Sequence, residues 1–91
     1  MIYRVYLKRK TKHGSEVDTA SRTTTPTPAA AEAAFRALLR RDDLAGQPVA
    51  AVLSLNNRHL MYHRFDRSPG QADYVAPDAE ITLFHSPNEQ M

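Results

Sequence analysis

One amphipathic helix with strand-like runs on both sides is the feature that most constrains the fold of this chain. The segment TTTPTPAAAEAAFRALLRR, residues 23–41, offers threonines that can cap a helix. It also offers Pro28, which suits a first helical turn because the missing N–H would be unpaired there. The apolar side chains recur at helical spacing and form a single stripe: Ala31, Ala34, Phe35, Leu38 and Leu39. We expect this stripe to pack on a sheet.

A strand is predicted before the helix. Residues 2–10, IYRVYLKRK, alternate with the period of two that a half-buried strand requires. Tyr3, Val5 and Leu7 are expected to face the core. The opposite face would present a basic and aromatic set: Arg4, Tyr6, Lys8 and Lys10.

A second strand is predicted at residues 16–25, EVDTASRTTT, after a hairpin loop at residues 11–15. One face of this strand is weakly apolar, which is typical of an edge strand. That face would consist of Val17, Thr19, Ser21 and Thr23. Glu16 and Asp18 are placed to pair with basic side chains across the hairpin, which would cancel part of the basic surface.

A second hairpin is predicted after the helix. The runs VAAVLSL and RHLMYHRF are separated by Asn56 and Asn57, and asparagine tolerates the positive φ of a tight two-residue turn. The resulting register opposes Leu53 to Leu60 and predicts a helix-facing set of Val49, Ala51, Leu53, Leu55, Leu60 and Tyr62. The other face would show Ala50, Val52, Ser54, His59, Met61 and His63.

These elements predict an α+β fold in a single domain, residues 1–86. The expected architecture is an antiparallel sheet of four to five strands in the order β-β-α-β-β, with one helix packed on one face. The optional fifth strand falls at residues 81–84, and residues 87–91 are expected to form a frayed tail.

Charge and composition narrow the function classes. The chain has 91 residues and a net charge of +2, but its ends differ in sign, with a basic first strand and an acidic segment from Asp66 onward. It has no cysteine, which excludes disulfides and cysteine-ligated zinc. No apolar run approaches the roughly 18 residues of a membrane span, so we expect a cytoplasmic protein without a membrane partner. So small a core makes a homodimer plausible.

Catalytic and metal chemistry find no support in the sequence. No serine lies in a nucleophile motif, and the three glycines are dispersed in separate loops. His59 and His63 would share a metal ion on a helix, but on a strand they are separated by about 13 Å. The expectation is therefore a protein that is not an enzyme and has no cofactor and no metal.

Two surfaces are candidates for contact with a partner. The first is the outer face of the first strand: Arg4, Tyr6, Lys8 and Lys10. The second, near the second hairpin, is Arg58, His59 and His63. The leading interpretation is a protein-binding module. The alternative is nucleic-acid binding, for which a second stacking aromatic would be needed beside Tyr6; a structural or oligomerisation domain is a further alternative.

The helix AAAEAAFRALLRR and the hairpin VAAVLSLNNRHLMYHRFD together, residues 29–66, resemble small proteins encoded on phages and mobile elements of high-GC proteobacteria. Some proteins of that kind are anti-CRISPR inhibitors. The resemblance covers less than half of the chain and rests on composition and element order. It implies an inhibitor that docks on a CRISPR effector, a nucleoprotein complex.

Overall fold

The computed structural model describes residues 1–79, which form four strands and one helix. Along the chain these are β1 (Tyr3–Thr11), β2 (Gly14–Thr25), α1 (Pro28–Leu39), β3 (Val49–Leu55) and β4 (Arg58–Arg64), with a short 3-10 turn at Asp42–Leu44 before β3. All strand pairs are antiparallel, and the spatial order is β2-β1-β3-β4. The α+β fold with four antiparallel strands and one helix is confirmed. The predicted fifth strand and frayed tail lie outside the described residues.

The helix begins where the sequence predicts. Thr27 is extended at φ −98° and ψ 120°, and Pro28 occupies the first turn. Ala31, Phe35, Leu38 and Leu39 are buried, while Ala34 packs at the edge of the core. The apolar stripe is therefore confirmed as the surface that α1 packs on the sheet.

The core lies between α1 and one face of the sheet. The alternation predicted for β1 is confirmed, because Tyr3, Val5 and Leu7 are all buried in this core. β3 contributes Ala51 and Leu53, both fully buried. Within residues 1–79, no helix combines the length and apolar character needed to cross a membrane.

The predicted turn of the second hairpin is confirmed, but the register beyond it is wrong. Asn56 and Asn57 have φ of 50° and 70°, and Leu55 pairs with Arg58. A β-bulge at Leu60 then adds one residue to β4, so Leu53 pairs with Met61 rather than with Leu60. Since side chains alternate along a strand, this one-residue slip exchanges the two faces of β4 beyond the bulge.

A second irregularity changes the faces of β2. The pairing with β1 passes from Val5–Thr23 to Leu7–Asp18, which leaves residues 19–22 opposite Tyr6. The weakly apolar face predicted for this strand is therefore wrong: Thr23 shares the helix side with Val5, whereas Val17 lies on the other side and is 43% exposed.

The β2 irregularity also affects the acids of the first hairpin. Asp18 Oδ1 accepts a hydrogen bond from the Ala20 N–H at 3.0 Å, within its own strand. Glu16 pairs by register with Arg9 on the helix side of the sheet. Among residues 1–79, neither acid forms the predicted ion pair with a basic side chain.

Candidate functional site

The sheet has a second face, opposite α1, which we call the open face. Three cross-strand rows form its central part, each with one side chain from β1, one from β3 and one from β4, while Thr24 and Val17 of β2 flank the first and the third row. The rows are Arg4–Ser54–His59, Tyr6–Val52–Tyr62 and Lys8–Ala50–Arg64. Lys10 and its partner Ser15 on β2 extend the face at the end beyond Lys8.

The middle row holds two tyrosines. Tyr6 and Tyr62 are the direct neighbours of Val52 on either side, and neighbouring strands are about 4.8 Å apart, so their backbones lie about 10 Å apart. Val52 is 0% exposed although it faces away from the helix, whereas both tyrosines are only half-buried. The row thus presents two partly exposed rings beside a fully buried aliphatic side chain.

The row with Arg4 continues the aromatic surface along β4. The rings of His59 and Tyr62 are near-parallel, with an angle of 16° and centroids 6.4 Å apart, within the range of offset stacking. Across the same row, Arg4 Nη1 donates a hydrogen bond to Asn57 Oδ1 at 3.2 Å. The turn that fixes the hairpin therefore also positions a guanidinium at this end of the open face.

The charge of the open face is strongly positive. Its ionisable side chains are the cations Arg4, Lys8, Lys10 and Arg64, together with His59 and the two tyrosines. Among residues 1–79, the carboxylate that contacts these cations is Asp66, which accepts from Arg64 Nε at 3.0 Å and from Arg64 Nη2 at 2.7 Å. The same hydrogen bonds hold the pKa of the Asp66 carboxyl below its ordinary range.

Most of the residues predicted to contact a partner come together on this face. Arg4, Tyr6, Lys8, Lys10 and His59 belong to its rows or to its extension. The first predicted surface is therefore part of the open face, and His59 is the one residue of the second predicted surface that joins it.

Arg58 and His63 lie elsewhere. Arg58 pairs with Leu55 at the hairpin end, and by register it belongs to the helix side, although it is exposed. His63 pairs with Ala51 and is 5% exposed, so its predicted place on the outer face is wrong. The bulge at Leu60 is the physical reason, because it turns His63 towards the core.

His63 is held by contacts within the fold. Its Nδ1 accepts a hydrogen bond from the Val75 N–H at 2.9 Å, and its ring makes edge contacts with Phe65 and Tyr74 at centroid distances of 4.6 and 5.0 Å. Burial lowers the pKa of the His63 imidazole below its ordinary value near 6.5. This side chain fastens residues 74–75 to the sheet.

Tyr62 and Arg64 are the members of the open face that the sequence reasoning missed. Counting from the asparagine turn placed Tyr62 against the helix. Counting backwards from Phe65, which is buried, would have placed Met61 and His63 with it in the core and turned Tyr62 and Arg64 outwards. This alternation becomes informative only once Phe65 is known to lie in the core.

The described part of the chain contains no cluster of side chains that could bind a metal ion. No group of three histidine or acidic side chains there lies close enough to share an ion. His59 and His63 are on opposite faces of β4.

No known protein-family model, curated protein or solved structure matches this chain.

Proposed function

We propose that the protein binds single-stranded nucleic acid on the open face. The observation that carries the proposal is the middle row, in which Tyr6 and Tyr62 lie on either side of the buried Val52. Cationic side chains occupy the rows on both sides of it. Exposed aromatic rings that stack bases, set among cations that attract the phosphate backbone, are the combination that sequence-tolerant single-strand binders use.

The shape of the face favours a single strand over a duplex. The major groove of B-DNA is about 12 Å wide and admits a helix or a two-stranded ribbon. Four strands at about 4.8 Å spacing already span about 14 Å before side chains are added, so this sheet does not fit into the groove. Unpaired bases can instead spread over the sheet and reach the tyrosine rings.

Each row has a distinct part in this proposal. Tyr6 and Tyr62 offer stacking surfaces for two bases, and His59 extends the second one along β4. Arg4 lies at one end of the open face, and Lys8, Lys10 and Arg64 lie at the other. These cations would contact phosphates. Stacking and phosphate contacts do not depend on base identity, so we expect little sequence preference.

Fluorescence anisotropy with a labelled single-stranded oligonucleotide tests the proposal. With about four phosphates neutralised, the logarithm of the association constant should fall with the logarithm of salt concentration with a slope of about −3. The duplex of the same sequence should bind more weakly. Absence of binding at low salt, or equal binding of the duplex, would contradict the proposal.

The tyrosines can be tested with conservative variants. Tyr6→Leu and Tyr62→Leu keep an apolar side chain beside Val52 but remove the ring, and each should weaken binding about 5-fold or more. Tyr74→Leu is the matched control, because Tyr74 contacts His63 on the helix side. Equal losses in all three variants would argue against stacking on the open face. Circular dichroism would establish that each variant is folded.

A protein partner is the second candidate for the same face. Tyrosine and arginine are the residue types enriched at the centres of protein interfaces, and the open face carries both around a buried apolar row. That the protein inhibits a CRISPR effector, as the resemblance implies, stays a prediction. Reversing charge with Lys8→Glu and Lys10→Glu together should abolish binding to such a partner. Sedimentation of the protein alone tests the predicted homodimer.

A further inference from the structure

The open face ends in a concavity of about 270 Å³. All four strands or their ends contribute to its lining, which includes Lys8, Lys10, Ser15, Pro48, Tyr62 and Arg64. Ser15 on β2 and Arg64 on β4 are three strands apart in the sheet, yet they line one cavity. The cavity therefore extends across the full width of the sheet at this end.

The charge of the concavity suits a doubly charged anion. Lys8, Lys10 and Arg64 bring three cationic groups, and Asp66 neutralises one of them by its two hydrogen bonds to Arg64. Lys8 and Lys10 take part in none of the ion pairs among residues 1–79. Two positive charges are thus left uncompensated. A phosphomonoester carries about −1.5 to −2 at pH 7, whereas a phosphodiester within a strand carries one negative charge.

The lining also supplies uncharged donors for such a group. Ser15 and Tyr62 line the cavity together with the lysines, and each carries a hydroxyl that can donate a hydrogen bond. Charge-assisted hydrogen bonds from lysine and arginine to phosphate oxygens are the strong ones, and neutral hydroxyl donors add to them.

The position of the concavity corresponds to the end of a bound strand. The row Lys8–Ala50–Arg64 lies two residues, about 7 Å, along the sheet from the row of the tyrosines. Beyond it, Ser15 and Pro48 bound the cavity where the sheet ends. A strand stacked on Tyr62 would therefore reach the concavity with its terminal group.

We propose that this concavity binds the terminal phosphate of a single-stranded nucleic acid. The inference rests on the proposed function and adds a preference for strands that end in a phosphomonoester. That group occurs at either the 5′ or the 3′ end, and the chemistry of the pocket is the same for both.

Competition binding separates the possibilities. Unlabelled oligonucleotides of one sequence, about ten nucleotides long, carry a 5′-phosphate, a 3′-phosphate or hydroxyls at both ends, and each displaces the same labelled hydroxyl-ended strand. We expect one of the phosphorylated strands to compete about 10-fold better than the hydroxyl-ended strand. The end that carries the preference gives the polarity of the bound strand.

A matched pair of double variants assigns the preference to the pocket. Lys8→Gln with Lys10→Gln should reduce the 10-fold ratio to about one. Arg40→Gln with Arg41→Gln removes the same charge from exposed side chains at the helix end and should leave the ratio unchanged. Lys10→Gln alone changes an exposed position and should give an intermediate ratio. This single variant replaces the double variant if the latter does not fold.

The two proposals fail in distinguishable ways. If all three oligonucleotides compete equally, the terminal-phosphate pocket is refuted while nucleic-acid binding stands. If the helix-end variant also loses the ratio, the preference is not made by the pocket, and the inference is refuted. If no oligonucleotide binds at low salt, the proposed function falls, and this inference falls with it.

Discussion

The backbone N–H of Val75 donates a hydrogen bond to Nδ1 of His63 at 2.9 Å. Accepting this bond requires an imidazole that is unprotonated at Nδ1, so the contact exists only in the neutral form. Burial of the ring acts in the same direction and lowers the pKa of His63 in the folded protein. The charged side chains near this imidazole are Arg41, Asp42 and Arg67, which line the same concavity as His63.

The stability of the protein should therefore fall as the pH drops from about 6.5. Below the ordinary imidazole pKa the unfolded chain binds a proton at His63 that the folded chain does not, which favours unfolding until the lower folded-state pKa is reached. Urea denaturation at intervals between pH 7.5 and 5 measures the loss. His63→Gln should flatten this dependence. His59→Gln, which removes an exposed histidine, should retain it. Carboxyls such as Asp66, whose pKa is lowered, act only below about pH 4, outside this window.

Tyr3 presents a buried hydroxyl. It is 0% exposed, and its oxygen has no hydrogen-bond partner among the described residues. Because a buried polar group without a partner costs about 1–3 kcal/mol, Tyr3→Phe should raise the free energy of unfolding by an amount in that range. Tyr3→Ala should lower it by about 3–5 kcal/mol, because the ring fills the core. Urea denaturation measures both variants; a loss of stability in Tyr3→Phe would show that the hydroxyl is satisfied.

The turn of the second hairpin gives a further prediction. Asn56 has a φ of 50°, and its Oδ1 accepts a hydrogen bond from the Ile2 N–H at 3.0 Å. Asn56→Ala loses this bond and puts alanine, which tolerates the left-handed region less well than asparagine, at this φ, so it should cost about 1–2 kcal/mol of folding free energy. Asn57→Gly loses only the exposed hydrogen bond from Arg4 and should be neutral or stabilising, since glycine adopts the φ of 70° at that position freely. Similar losses in both variants would contradict this account of the turn.

The elements that could be predicted from the sequence depend on local signals. The helix start at Pro28 follows from proline geometry, and the buried stripe follows from spacing alone. The hairpin at Asn56 and Asn57 follows from the tolerance of asparagine for positive φ. The β1 faces follow from strict alternation, which is why Arg4, Tyr6, Lys8 and Lys10 of the open face could be predicted.

The faces of β4, by contrast, depend on a bulge that no local pattern in the sequence marks. Leu60 is apolar, and placing it opposite Leu53 satisfies the hairpin turn and the apolar pattern equally well. The register of the hairpin is decided beyond the far end of β4, where Phe65 enters the core beside α1. Because that contact is tertiary, counting from the turn misplaced Tyr62 and His63, and with them the second aromatic ring of the open face.

Deleting Leu60 distinguishes the two registers. In the structure Leu60 is the extra residue of the bulge, 37% exposed, between the pairs Ser54–His59 and Leu53–Met61. Its removal would join these pairs into a regular ladder and leave Met61 and His63 on the helix side and Tyr62 on the open face. We therefore expect the deletion variant to fold and to change the free energy of unfolding by no more than about 1 kcal/mol.

The register expected from the sequence gives the opposite outcome. There Leu60 and Tyr62 fill the core, and the deletion would exchange the two faces of β4, at a cost of several kcal/mol. Urea denaturation separates the two cases, and oligonucleotide binding adds a second readout, because the structure keeps Tyr62 available for stacking in the deletion variant. A folded variant that retains the salt-dependent binding supports the bulged register. Deletion of Ala51 is the control, since β3 is regular at that position and the deletion should unfold the protein.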